Sequence, residues 1–141
     1  MTTEFWGAVP VTGRGSLPFA LIHGEALVSA ATLALQGAGV DIVDATVEWQ
    51  QIQDSGRGVV LHDPLCPLTP PEFIEGVAEV ASSGAVVVGV RPVTDTVKQL
   101  DNGVLGATVN RESLRQVCSP IALPAGVVQA LADWPRGAFE D

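Results

Sequence analysis

Positive charge is scarce in this 141-residue chain. Seven basic residues face sixteen acidic ones, and Lys98 is the single lysine. The formal net charge is -9. No basic stripe can be drawn, which argues against nucleic acid as a partner. The same acidity argues against attraction to anionic membranes. A polyanionic substrate would need a few cations placed locally, against the overall field. Long apolar runs are missing too, and none reaches the ~20 residues that a membrane helix needs. The opening Met1-Thr2-Thr3-Glu4 lacks the cationic start of a secretory leader. Cysteine is nearly absent. Cys66 and Cys118 stand far apart without metal-ligand spacing and read as free cytosolic thiols. A cytoplasmic protein is expected.

What is present is globular. Hydrophobic residues make up 47% and charged residues 16%, a composition that builds a core and not a disordered chain. One domain, residues 1–141, is expected at this length. Its organising stretch is Val59 to Arg111. Val59-Val60-Leu61-His62-Asp63-Pro64 is an apolar run ending in a polar pair, as a buried parallel strand would. Ligands in open α/β sheets bind beyond the carboxyl ends of strands, which places His62 and Asp63 where chemistry is sought. Thr69-Pro70-Pro71-Glu72 reads as a helix start in capping-box style. Phe73, Ile74, Val77, Val80 and Ala81 follow at helical spacing. Ala85 to Val90 is β-branched and predicts a second buried strand. Asp101-Asn102-Gly103 marks a hairpin between the alternating Val93–Lys98 and Val104–Val109 segments.

The remainder is read in order. Glu4 to Val11 predicts a first strand, followed by the glycine-bearing loop Thr12-Gly13-Arg14-Gly15-Ser16. Such a loop lets backbone N–H groups approach a phosphate, though a plain turn has the same composition. Leu27, Val28, Ala31 and Leu35 predict a helix ending near Gly37 or Gly39. Val40 to Val47 predicts another strand. Glu48 to Arg57 reads as a short polar connection whose Trp49 is either a loop aromatic or a stacking surface for a base. Asn110 to Gln116 predicts a short helix capped by Asn110, and Pro124 to Trp134 a last one.

Three motifs occur in a fixed order: Val60-Leu61-His62-Asp63, then Pro92-Val93-Thr94-Asp95-Thr96-Val97-Lys98, and, after the hairpin, Thr108-Val109-Asn110-Arg111. From Val59 to Pro120 the chain resembles the 2-C-methyl-D-erythritol 4-phosphate cytidylyltransferases of non-mevalonate isoprenoid synthesis. The resemblance implies a Rossmann-like nucleotidyltransferase fold of the glycosyltransferase-A type. That fold is an α/β three-layer sandwich, here reduced, with residues 91–111 as a protruding β-hairpin dimerisation arm. It implies a phosphate cradle at Gly13, Gly15 and Ser16, with Arg14 and Asp63 at the transferring phosphate. Thr96, Arg111 and Ser119 match the sugar-phosphate contacts, and His62 matches a structural histidine. The cofactors implied for an active enzyme are CTP and Mg²⁺.

Departures from the family pattern shape the functional expectation. Phe19 follows Pro18 where family members carry the loop lysine, and Cys66 stands where they carry an arginine. The segment matching their cytosine pocket is replaced by Glu48–Arg57. A truncated member is expected, because the family's C-terminal catalytic part has no counterpart before Asp141. The resulting expectation is a homodimer, paired through residues 91–111, that has lost catalysis. It would bind a phosphorylated small molecule or pair with a full-length cytidylyltransferase. The alternative is an active enzyme transferring CMP from CTP to methylerythritol phosphate. For the arm, the other outcome is a surface hairpin folded on its own domain.

Overall fold

The computed structural model describes residues 4–137 and 139. Met1 to Thr3, on which the leader argument rests, lie outside the described residues. The chain begins with β1 (Phe5–Ala8), β2 (Leu21–Ile22), β3 (Glu25–Ala26), α1 (Leu27–Gly37), β4 (Asp41–Ile42) and α2 (Trp49–Asp54). It continues through β5 (Gly58–Leu61), α3 (Pro71–Ala81), β6 (Val87–Pro92), β7 (Val97–Asp101), β8 (Val104–Val109), β9 (Arg115–Leu123) and α4 (Ala125–Ala130).

Five strands form the central sheet in the order β4-β1-β5-β9-β6. β1 runs parallel to both β4 and β5, while β9 runs antiparallel between β5 and β6. β5 is buried along its whole length, as its unbroken apolar run predicts. Its side chains alternate between two cores. Val60 joins Phe5, Leu35, Ile74 and Ala122 on the α1–α3 side. Val59 and Leu61 join Trp49, Ile52, Leu123 and Val128 on the α2–α4 side. The result is a three-layer α/β sandwich. Close approach of β9 leaves no room at Gly58, where a Cβ would lie 2.5 Å from the Leu123 carbonyl oxygen and 2.5 Å from the Phe5 ring.

Several expectations need correcting. The first strand is shorter than Glu4–Val11, because pairing ends where the glycine-bearing loop leaves the sheet. Val40–Val47 contributes only a two-residue strand at the sheet edge. Glu48–Arg57 is not a polar connection. It contains α2, opened by a capping box between Glu48 and Gln51. Trp49 is buried, and its indole N–H donates to the Leu131 carbonyl at 2.9 Å. Thr69 does not cap α3. Its hydroxyl donates to the Cys66 carbonyl at 2.9 Å, and Pro70 occupies the cap position.

The strand after α3 is a sheet edge and not a buried strand. Val86 and Val90 are each nearly half exposed, because β9 covers one side of β6 and no strand of the described residues covers the other. The helix expected over Asn110–Gln116 reduces to a single 3-10 turn, Arg111–Ser113. Asn110 does cap it, accepting from the Glu112 N–H at 3.1 Å. From Arg115 the chain is strand, since pairing with both neighbours outweighs local helical preference.

The hairpin forms over the predicted turn. Asn102 and Gly103 take positive φ, 49° and 79°, the left-handed pair that a two-residue hairpin turn requires. β7 and β8 pair with each other as a separate two-stranded sheet.

Candidate functional site: the carboxyl edge of β1 and β5

The chain leaves β5 with the His62 N–H donating to the Ala8 carbonyl at 2.9 Å, which continues the parallel pairing one residue further. His62 therefore remains inside the sandwich, fully buried. Its Nδ1 lies 2.6 Å from Ser119 Oγ. The same hydroxyl oxygen accepts the Asp63 backbone N–H at 2.8 Å. One serine on β9 thus fixes both residues at the end of β5, across 57 and 56 positions of sequence. Burial pushes the His62 imidazole down to about 4, and the nearby Asp63 carboxylate only partly opposes this. His62 is accordingly neutral near pH 7. Its Nε2 is buried without a hydrogen-bond partner among the described residues.

Asp63 is held on both carboxylate oxygens. Oδ1 accepts the Leu65 N–H at 2.9 Å, and Oδ2 accepts from Arg14 Nη2 at 3.0 Å. Arg14 and Asp63 are 49 residues apart, and their side chains are 18% and 9% exposed. A pair so shielded is stronger than a surface ion pair. The turn after Asp63 closes when the Cys66 N–H donates to the Asp63 carbonyl at 3.0 Å. Burial, with the Asp63 charge second, pushes the Cys66 thiol up. That is the opposite of what an activated nucleophile needs.

Beside this cluster opens a cleft of about 910 Å³. Ala8, Val9 and Leu61 line it at the strand ends, Thr12, Gly13 and Arg14 from the loop after β1, and Val43 and Asp44 from the segment after β4. Its remaining wall is Asp133 to Gly137. Trp49 and Gln53 of α2 secure that wall from behind. Gln53 Nε2 donates to the Leu131 carbonyl at 2.7 Å, and the Trp134 ring packs on Trp49 with centroids 4.9 Å apart. Sequence reasoning did not single out Trp134 or Arg136 as site residues. Only a long-range fold brings them there, so no local motif could have revealed them.

The sequence-predicted residues divide in two. Arg14, Asp63 and Ser119 form one hydrogen-bonded chain, with Gly13, Gly15 and Ser16 in the adjoining loop. Gly13 and Gly15 take positive φ, 79° and 57°, a backbone that suits glycine. Thr96 and Arg111 lie elsewhere, at the base of the hairpin. Both are exposed, and Arg111 donates to the Thr94 carbonyl at 2.9 Å. No hydrogen bond joins either one to Arg14, Asp63 or Ser119 among the described residues.

No group of three His, Cys, Asp or Glu side chains among the described residues could hold a metal ion. Asp63 stands alone, with both oxygens already engaged by donors. A cation cage made wholly of side chains is therefore not preformed among the described residues, whereas Mg²⁺ is usually held by one or two carboxylates together with substrate phosphates.

This geometry defines a class. A parallel-centred α/β sandwich, with a glycine-bearing loop after its first strand and a polar pair ending the neighbouring strand, is the nucleotidyltransferase-type Rossmann-like fold. Solved structures agree at the level of fold. A 4-diphosphocytidyl-2C-methyl-D-erythritol synthase from Anaerococcus prevotii superposes with a TM-score of 0.69 at 13% identity, over 92% of this chain and 75% of that one. A 2-C-methyl-D-erythritol 4-phosphate cytidylyltransferase from Thermus thermophilus gives 0.61 at 18% identity, over 89% of this chain and 72% of that one.

Sequence comparison goes further. The family model described as 2-C-methyl-D-erythritol 4-phosphate cytidylyltransferase matches residues 24–135. Relatives bearing that name include one from Frankia casuarinae, 33% identical over 116 residues. The match covers 80% of this chain and 44% of that protein. One from Syntrophotalea carbinolica is 40% identical over 98 residues, covering 67% of this chain and 42% of that protein. The chain belongs to the 2-C-methyl-D-erythritol 4-phosphate cytidylyltransferase family, and it spans less than half the length of these two relatives. No helix among the described residues is long and apolar enough to cross a membrane.

Proposed function

We propose that this protein is a cytoplasmic, homodimeric member of the isoprenoid-pathway family that binds a phosphorylated small molecule without transferring a cytidylyl group. One observation carries the reading: the loop that should grip a triphosphate has its cation already engaged. Arg14 is bonded to Asp63 at 3.0 Å. Phe19, at the position of the family's lysine, is 59% exposed and apolar. Phosphoryl transfer depends on positioning and on cations aimed at developing charge. Losing one such donor costs on the order of 10²–10³ in rate.

The hairpin supports the homodimer. Leu100, Val104 and Leu105 are 67%, 67% and 70% exposed. A two-stranded ribbon is marginal in water unless its apolar side chains are covered. A second copy of the chain covers them, and a full-length cytidylyltransferase is the other candidate partner.

Family membership favours one competing reading, an active cytidylyltransferase using CTP and Mg²⁺. The test is to incubate the protein with CTP, Mg²⁺ and methylerythritol phosphate and measure released pyrophosphate. The expected result is no release above background, and turnover at an ordinary enzymatic rate would overturn the proposal.

A further inference from the structure

We infer that Ser119 is a positioning residue: its hydroxyl aims Asp63 at Arg14 and keeps the proton of His62 on Nε2, and it touches no ligand itself. The family resemblance placed Ser119 among the sugar-phosphate contacts. The geometry gives it a different part, one that is independent of which ligand the cleft takes.

Enclosure separates the two roles. Ser119 is 4% exposed and His62 is 0% exposed. β9, which carries Ser119, is paired with β5 on one side and β6 on the other. Gly89 of β6 comes so close that a Cβ there would lie 2.5 Å from the Ser119 carbonyl oxygen. Ser119 does not line the cleft, although Leu61 and Arg14 do. Its Oγ stands 2.6 Å from His62 Nδ1, the spacing of a nucleophile and its base. A nucleophile must meet its substrate, and this hydroxyl is walled in.

Counting protons fixes the sense of the bridge. A hydroxyl has one proton to donate and two lone pairs that accept. The Asp63 backbone N–H can only donate, and it takes one lone pair at 2.8 Å. The bond to Nδ1 can run either way. If the hydroxyl donates, the ring proton is on Nε2, and that N–H alone lacks a partner among the described residues. If Nδ1 donates, two groups are unmatched: the Nε2 lone pair and the hydroxyl proton. The cost of an unmatched buried group favours the first arrangement by about tenfold or more. Burial keeps the imidazole neutral, as this count requires.

Every polar atom of Asp63 is engaged. Its carboxylate accepts from the Leu65 N–H and from Arg14. Its carbonyl accepts from the Cys66 N–H, and its own N–H goes to Ser119. Leu65 and Cys66 belong to the same turn. Ser119 ties that turn to β9 and so sets the direction from which Asp63 meets Arg14.

The experiment records nitrogen-15 NMR signals of the His62 ring and the Arg14 guanidinium in the full chain at neutral pH. His23→Asn removes the other histidine, and asparagine tolerates the positive φ of 50° at that position. In this background Nδ1 is expected bare and Nε2 protonated, with the other tautomer below about one-tenth. Ser119→Ala is expected to raise that minor tautomer at least about threefold and to shift the Arg14 signal. Ser119→Thr keeps a hydroxyl and is expected to restore both. A serine-directed fluorophosphonate is expected to leave Ser119 unlabelled in the folded chain. A proton on Nδ1 with Ser119 intact, unchanged ring signals in Ser119→Ala, a folded Ser119→Thr that behaves like the alanine variant, or labelling at Ser119 would each overturn the inference. If Ser119→Ala does not fold, the tautomer in the chain with Ser119 intact decides.

Discussion

The sheet around β5 and the hairpin β7–β8 are built from similar apolar residues with opposite outcomes. Val59, Val60 and Ala122 are fully buried, whereas Val104 and Leu105 are about two-thirds exposed. β5 is paired on both edges and covered on both faces. Among the described residues the hairpin is paired only with itself. Burial of apolar surface is the main favourable term in folding and in association alike. The first region therefore contributes to the stability of one chain. The second leaves its apolar surface exposed, and the proposed dimer would cover it.

The largest expected effect tests that division with glycines. In Gly58→Ala the new methyl meets backbone oxygen and an aromatic ring at 2.5 Å, so a loss of about 3 kcal/mol is expected in urea denaturation. Gly106→Ala, on the hairpin, meets nothing closer than 3.5 Å and should stay within about 0.5 kcal/mol. Equal losses at the two sites would break the contrast.

The second effect sharpens the core side of it. His62 is lowered from 6.5 to about 4 by burial. Its neutral form is the folded one, so its contribution is fully present above pH 6.5. The contribution falls as pH drops from 6.5 towards 4, while the unfolded chain takes up the proton and the folded chain does not. At roughly 1.4 kcal/mol per pH unit between 6.5 and about 4, the total is on the order of 3 kcal/mol. His62→Asn should flatten this part of the stability–pH curve, measured by denaturation at fixed pH steps. A curve unchanged by the substitution would contradict the buried neutral histidine.

The smallest effect on folding belongs to the hairpin, although its consequence for assembly is large. Val97→Asp with Val104→Asp should change the stability of an isolated chain by less than about 0.5 kcal/mol. The same pair should convert a dimer to a monomer in light scattering. A dimer that survives both charges would remove the proposed role of the arm.

Legibility in the sequence followed the range of the interactions. β5, the hairpin turn and the buried positions Ile74, Val77 and Ala81 rest on local patterns and were readable. Phe73 and Val80 fit the same helical period yet are 45% and 59% exposed. β9 was not readable as a strand. Its first residues, Arg115 and Gln116, continue a helix-like run, and Pro120 is atypical of a central strand. Two neighbouring strands decide its state. The candidate site divides in the same way. Asp63 was legible as the end of a strand. Its partnership with Arg14 and the wall bearing Trp134 and Arg136 depend on contacts 49 or more residues apart.

Trp49 and Gln53 fasten the closing segment through the main-chain oxygen of Leu131. A carbonyl is common to every amino acid, so this tether does not depend on which side chain stands at 131. Trp134 shares the tether by packing on Trp49, but residues 135–137 lie beyond it. A descendant or an engineer could rewrite positions 135–137, and so reshape this side of the cleft, on an unchanged scaffold.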